Sequence, residues 1–264
     1  MGKSRKVQNQ DKEHTWLDHI RVDEELANAR KINEWLLPLL KSDLINKPLK
    51  GTVLLSVGCG FGADVDTLAD VGVNAYGVEP FARTQMWHLR RNKGRLVAAD
   101  GRKLPFKNEA FDVVYCAAVI EHVGYEGQEN AEADMVWEER EKFAKELSRV
   151  LKPRGVIILN TWNRHFCIDS GHGANFLGVR VHSPFNDFTL SFRDIESLFV
   201  QKCGCTSIAT LPYKSFITWD LLTKNYPLIR RLSPLVKIYL RLLDRLKFLR
   251  SSFLSPYLIL AINK

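Results

Sequence analysis

The stretch "LLSVGCGFGADVD", residues 54–66, decides the fold. Gly58, Gly60 and Gly62 stand at alternate positions directly behind the apolar run "GTVLLSV" of residues 51–57. A short apolar run that stops at glycine reads as a parallel strand buried on both faces. The glycines permit a sharp turn and let a ligand lie against bare backbone. A helix expected from about Ala63 then points its N-terminal amides into the same space.

Further strands and helices alternate outward from this stretch. "ADVDTLADVG" reads as a helix closed by Gly72, and "VNAYGVEP" (73–80) as a second strand that Pro80 ends. "GRLVAADG" (94–101) reads as a third strand, and "AFDVVYCAAVIEHV" (110–123) contains a fourth. A long charged helix is expected up to Leu151, where "LKPRG" turns into a fifth strand, "VIILNTW". "CTSIATLPY" and "SPYLILAINK" read as two more strands, and residues 12–41 as an N-terminal helix with apolar spacing at Trp16, Ile20, Leu26, Ile32, Trp35 and Leu36. The pattern predicts an α/β fold: a Rossmann-like, doubly wound, mostly parallel seven-stranded sheet with a helical insertion before the last strand. The expected division is a helical cap over 1–50 and a main domain over 51–264. Within that domain, 162–190 forms an acceptor loop and 213–252 a basic amphipathic insertion. Ligands on such sheets sit outside the carboxyl ends of the strands, where the glycines lie.

Glu79 ends the second strand about 20 residues after the glycines, where a carboxylate can accept both hydroxyls of a ribose. Loop and carboxylate together point to a nucleoside-bearing cofactor. Nicotinamide dehydrogenases fit this much, since Gly58, Gly60 and Ala63 satisfy G-x-G-x-x-G/A. The Tyr-x-x-x-Lys arrangement that many of them use is absent from the sequence.

The set "VGCGFG", Glu79, "ADGRKLPF", "FDVVYCAAVIEHV" and "LKPRGVIIL" resembles, in order and spacing, the class I S-adenosylmethionine-dependent methyltransferases, particularly the type 11-like group that acts on small molecules. The resemblance covers roughly residues 50–162. It implies S-adenosylmethionine as cofactor, with the glycine loop at its methionine part, Glu79 on its ribose, Asp100 on the adenine amino group with Gly101 beside it, and Ala117 flanking the methionine and the acceptor. The implied cofactor-binding set is Ser56, Gly58, Cys59, Gly60, Gly62, Glu79, Pro80, Asp100, Gly101 and Ala117. One position departs from the pattern. Two residues before the first glycine the family usually carries an acid, and here stands Ser56, for which Asp64, Asp66 or the N-terminal helix is expected to compensate.

Transfer of an activated methyl group needs an aligned acceptor and, for a hydroxyl, a base to take its proton. His122 is the first candidate, because it follows the fourth strand at the ligand end of the sheet; a purely structural role for Glu121–His122 is the alternative. His172, in the loop "WNRHFCIDSGHGANFLGVRVHSPFNDF" (162–188), is the second. That loop is long for a plain connection and is expected to line the acceptor pocket. Its histidines match no metal-ligand spacing. The resemblance also implies a lid over the cofactor from the segment before the first strand, which carries Trp16, His19 and Arg21; for Trp16 core packing is the preferred reading.

The formal net charge of +8 is local. Between Lys214 and Arg250 nine cations face Asp220 and Asp244 alone, a net +7, and the remainder is almost neutral. Lys237, Arg241, Asp244 and Arg245 can share one helical face while leucines and aromatics crowd the others, a pattern of membrane-surface helices. A packed lid or dimer contact is the alternative, and nucleic acid a weaker one, because phosphate contact asks for no such leucine density. Five scattered cysteines form no disulfide framework and the first residues lack an apolar signal core, so a cytoplasmic setting, peripheral at the membrane through 228–250, is expected. The reading as a whole is a methyltransferase for a small or lipid-linked acceptor, an O-methyltransferase by preference. An RNA or protein methyltransferase and a non-catalytic cofactor-binding module are the alternatives.

Overall fold

The computed structural model describes residues 20–42, 44, 45, 47–125, 133–166, 174–176, 179–181, 188–213 and 227–264. Helix α1 (20–41) contains a π turn over Ile32–Leu36, and it buries Ile32, Trp35, Leu36, Leu37 and Leu40. There follow β1 (Val53–Val57), α2 (Ala63–Asp70), β2 (Asn74–Val78), a 3-10 stretch over Ala82–Leu89, β3 (Leu96–Val97), β4 (Phe111–Ala117), α3 (Ala133–Val150) and β5 (Leu151–Trp162). A small hairpin, β6 (Ala174–Phe176) and β7 (Val179–Val181), precedes α4 (Phe192–Glu196, continued by a π turn over Ser197–Lys202). The chain closes with β8 (Ser207–Thr210), α5 (Pro227–Arg245) and β9 (Tyr257–Asn263).

Seven strands form one sheet in the order β3-β2-β1-β4-β5-β9-β8. β1 to β5 run parallel, and β9 lies antiparallel between β5 and β8. Alternation along β1 divides the core: Leu54 packs on one face with Trp35, Leu36 and Ile259, and Leu55 and Val57 on the other with Phe143 and Leu147. Burial on both faces is why the central strands read as unbroken apolar runs. The strand order reverses between β1 and β4, the crevice where doubly wound sheets take their ligands.

Two local expectations change. The third strand is shorter than residues 94–101, because Asp100 folds back to accept the N–H of Arg102 at 2.8 Å and starts a turn. "LKPRG" lies within β5 instead of before it, and the ladder jumps from Phe111–Leu151 to Val113–Val156, two residues on β4 against five on β5. The extra residues are taken up at Arg154, whose φ is 62°.

Candidate active site

A cleft of about 1230 Å³ opens at the carboxyl ends of β1, β2 and β4, walled on one side by α1. A pocket for one drug-sized ligand spans roughly 300–1,000 Å³, so the cleft exceeds the room that one such ligand needs. Ser56, Gly58, Gly60, Glu79, Pro80, Asp100, Gly101, Ala117 and His122 all line it. Cys59 and Gly62 do not. The Cys59 thiol points into the core, close enough that a Cβ on Gly77 would stand 2.7 Å from its sulfur, and burial raises its pKa. Gly62 is the N-cap of α2, in the left-handed region at φ 77°. His172, His182, Trp16 and His19 lie outside the described residues, and Arg21 faces Glu25 at 3.4 Å.

The loop after β1 is held by backbone. The amides of Gly58 and Cys59 donate to the carbonyl of Val78 at 2.9 and 3.0 Å, tying the turn to the end of β2. The Trp87 indole donates to the carbonyl of Gly60 at 2.9 Å. At Gly58 (φ 74°) an added Cβ would stand 2.3 Å from Val119 Cγ2, so the position needs glycine for conformation and for space. Glu79, 6% exposed, accepts the N–H of Gly60 at 3.2 Å. Burial raises its pKa against that hydrogen bond and the charge of Arg83.

The serine at the usually acidic position has a carboxylate beside it. Ser56 Oγ donates to Asp64, which stands in the first turn of α2 and also accepts the N–H of Val65 at 2.8 Å. Burial pushes Asp64 up to about 6, and both hydrogen bonds oppose the rise. Lys31 of α1 faces the same space; burial lowers its amine, while Glu24, Asp64 and Glu121 act in the opposite sense. Helix α1 is fastened over the loop by Glu24–Arg83 at 3.1 Å and Glu25–Arg90 at 2.8 Å.

Partial burial works to raise the Asp100 carboxyl, but hydrogen bonds from Arg102 outweigh it and hold it below its usual range. Arg102 donates to both oxygens of Asp100, from Nε to Oδ1 and to Oδ2 at 3.0 Å each and from Nη2 to Oδ2 at 2.5 Å. Gly101 is needed for space, since a Cβ there would stand 2.4 Å from the ring of Phe143.

The other end of the cleft is aromatic. His122 is exposed and meets Phe188 edge-on with centroids 5.3 Å apart, and Phe188 meets Tyr125 at 5.1 Å. Fully buried Arg140 of α3 donates to the carbonyls of Glu121 at 3.1 Å and Phe188 at 2.8 Å, joining both walls. Its cation lies 5.1 Å from the Trp137 ring. The Glu121 side chain is buried and accepts from Thr161 Oγ1 at 3.0 Å, so of the adjacent pair His122 faces the cleft and Glu121 the core. Ala118, directly after β4 and three residues before Glu121, holds φ 54°, a conformation unusual for alanine.

Sequence reasoning missed Lys31, Tyr115 and Tyr125 as cleft residues; Phe188 is the last residue of the loop expected to line the acceptor pocket. Only Tyr115 carried a usable signal: it lies two residues from Ala117 on one strand and so shares its face.

The donor set fits S-adenosylmethionine: a buried carboxylate beside Ser56 for an ammonium, Glu79 for a diol, Asp100 for an amino group, and glycine backbone between. Residues 55–159 match the family model described as a methyltransferase domain. An uncharacterized methyltransferase of Mycobacterium leprae is 34% identical over 116 residues, 43% of this chain and 38% of the relative. The mitochondrial ubiquinone biosynthesis O-methyltransferase of Mus musculus is 27% identical over 179 residues, 61% of this chain and 44% of the relative. The chain thus spans about two fifths of the length of these curated relatives. A phosphoethanolamine N-methyltransferase of Haemonchus contortus, solved with S-adenosyl-L-methionine, shares the fold at TM-score 0.53 and 16% identity, over 91% of this chain and 56% of that one. Residues 55–159 thus form a methyltransferase domain, and S-adenosylmethionine is the cofactor that this domain and the donor set support.

Proposed function

We propose that the protein transfers a methyl group from S-adenosylmethionine to a hydroxyl of a small or lipid-linked acceptor. The observation that carries this reading is a single cleft with two ends: glycines and carboxylates at one, His122 among aromatic rings at the other. In it Glu79 holds the ribose, Asp100 the adenine amino group, and Asp64 with Ser56 the ammonium. Bound S-adenosylmethionine supplies the methyl group as an activated sulfonium. The side chains of Phe188 and Tyr125 hold a flat acceptor by its ring faces. His122 takes the proton of the acceptor hydroxyl as its oxygen attacks the methyl carbon. Helix α1 covers the cofactor end and excludes water there.

The name of the mouse relative, an O-methyltransferase of ubiquinone biosynthesis, supports phenol- or quinol-like acceptors. The Asp64 carboxylate supplies the charge that Ser56 lacks, which removes the ground for a silent cofactor-binding module. Titration calorimetry with S-adenosylmethionine, S-adenosylhomocysteine and NADH tests the cofactor. Micromolar binding of the first two alone is expected. Radiolabelled methyl transfer to hydroxylated aromatic acceptors is expected to fail in His122→Ala while cofactor affinity holds. Full turnover in that variant overturns the base.

A further inference from the structure

We propose that the outer edge of α5 and the turn after it dock on an anionic lipid surface, an interaction independent of methyl transfer. One edge of α5 is committed to the protein. Leu243 is fully buried in the core cluster that holds Trp35 and Leu36 of the cleft-covering helix. Asp244 accepts the N–H of Tyr213 at 2.5 Å. Arg250, 6% exposed, donates from Nε to the carbonyl of Leu243 at 3.0 Å, which pins the turn beneath the helix end.

The neighbouring edge is apolar and faces solvent. Leu235, Ile238, Leu242 and Leu246 recur at helical spacing and are 63, 52, 46 and 40% exposed. Phe248 and Phe253 in the following turn are 71 and 67% exposed, and Leu254 is 38%. Seven of the thirteen exposed large apolar side chains among the described residues thus stand within twenty positions. Beside this row runs a second, Lys237, Arg241 and Arg245, with Arg231 and Lys247 near its ends, all exposed. At 100° per residue these three cations sit on the flank of the apolar row away from Leu243.

An apolar ridge bordered by cations on a helix too polar to cross a bilayer is the arrangement of an element lying in the headgroup plane. Leucine and phenylalanine enter the acyl boundary, and the cations stay at the level of the lipid phosphates. The same charges argue against a second copy of the chain. An antiparallel two-fold contact through this face would set the cation row of Lys237, Arg241 and Arg245 against its own copy. They also argue less for RNA, whose phosphates give the exposed leucines and phenylalanines nothing to bind.

Co-sedimentation of the full chain with vesicles tests the proposal, using phosphatidylcholine alone and an equal mixture with phosphatidylglycerol. Strong binding to the mixture is expected, at least tenfold weaker for phosphatidylcholine alone and for the double variant Phe248→Ser/Phe253→Ser. Both phenylalanines are exposed, so that variant should keep its thermal midpoint and its cofactor affinity. If it unfolds, Lys237→Gln/Arg241→Gln serves, with the same expected loss on the anionic vesicles. No vesicle binding, or binding indifferent to these changes, overturns the proposal. So does a concentration-dependent dimer, or binding to a single-stranded RNA oligomer, that the phenylalanine variant abolishes while vesicle binding persists.

Discussion

Ser56 donates its hydroxyl proton to the carboxylate of Asp64, eight residues later, across the glycine turn. The strand that carries a neutral residue at the usual acidic position therefore receives its charge from the first turn of α2. There the helix amides also favour an anion.

Removal of that charge should separate binding from folding. Asp64→Asn keeps an oxygen to accept from Ser56 but loses the attraction for an ammonium. Its affinity for S-adenosylmethionine is expected to fall at least about tenfold, roughly 1.4 kcal/mol, by calorimetry at pH 8. Adding Ser56→Asp should restore much of it; failure of that rescue would place the ammonium elsewhere.

The pH dependence runs in opposite directions for stability and binding. Asp64 is raised from 3.8 to about 6 in the folded chain, so between those values the native state holds the proton more tightly than the unfolded one. Its contribution is most favourable below the unfolded value and is lost as pH rises through about 6. At about 1.4 kcal/mol per pH unit, the cost at neutral pH is on the order of 3 kcal/mol. Asp64→Asn should therefore melt higher than the parent at pH 8 and match it near pH 4. Cofactor affinity of the parent should weaken as pH drops below about 6, and a flat affinity profile would contradict the assignment.

Glu79 accepts the N–H of Gly60 and at the same time lines the cleft. Glu79→Gln replaces a charged acceptor by a neutral one, and hydrogen bonds to charged groups contribute about 1.5–3 kcal/mol. Affinity for the cofactor should fall roughly tenfold to a hundredfold. Unchanged affinity in a folded variant would refute the ribose placement.

Gly58 and Val119 are coupled by contact. Gly58→Ala meets Val119 Cγ2 at 2.3 Å and must hold φ 74°. A left-handed conformation costs a non-glycine residue roughly 1–2 kcal/mol before any clash. Denaturant unfolding should show a loss of about 2–5 kcal/mol, since overpacking adds roughly 1–3. Val119→Ala in the same chain should recover the clash but not the backbone strain. Simple additivity of the two losses would show that the close approach is not real.

Arg140 joins the two walls at the aromatic end of the cleft through the carbonyls of Glu121 and Phe188. Arg140→Met keeps the volume and leaves those carbonyls without their donor, at about 1–3 kcal/mol each when buried. The midpoint of urea unfolding should drop accordingly. In the folded fraction, KM for the acceptor should rise while cofactor affinity stays, because the glycine loop is untouched.

Local signals sufficed for most of the sheet. Apolar runs broken by glycine or proline mark β1, β2 and β4, since strands covered on both faces admit few polar residues and chain-reversing turns need special φ. The same logic marked Gly58, Gly60 and Glu79, and the family resemblance added Asp100 and Gly101; each of them lines the cleft. It overreached at Cys59, because a loop residue adjacent to two ligand-facing glycines can turn its side chain to the core. It overreached also at the third strand, where an aspartate bonding its own backbone ended the ladder early.

Sequence by itself determined the doubly wound class, the nucleoside-binding edge and the basic amphipathic character of the segment before β9, because periodicity, glycine and charge are local properties. Tertiary structure decided that, of the candidate groups, Asp64 is the one that accepts from Ser56, that Lys31 and Tyr125 enter the cleft, and which apolar edge of α5 stays in water. Those outcomes depend on distances between side chains far apart in sequence, which packing fixes and no spacing along the chain records.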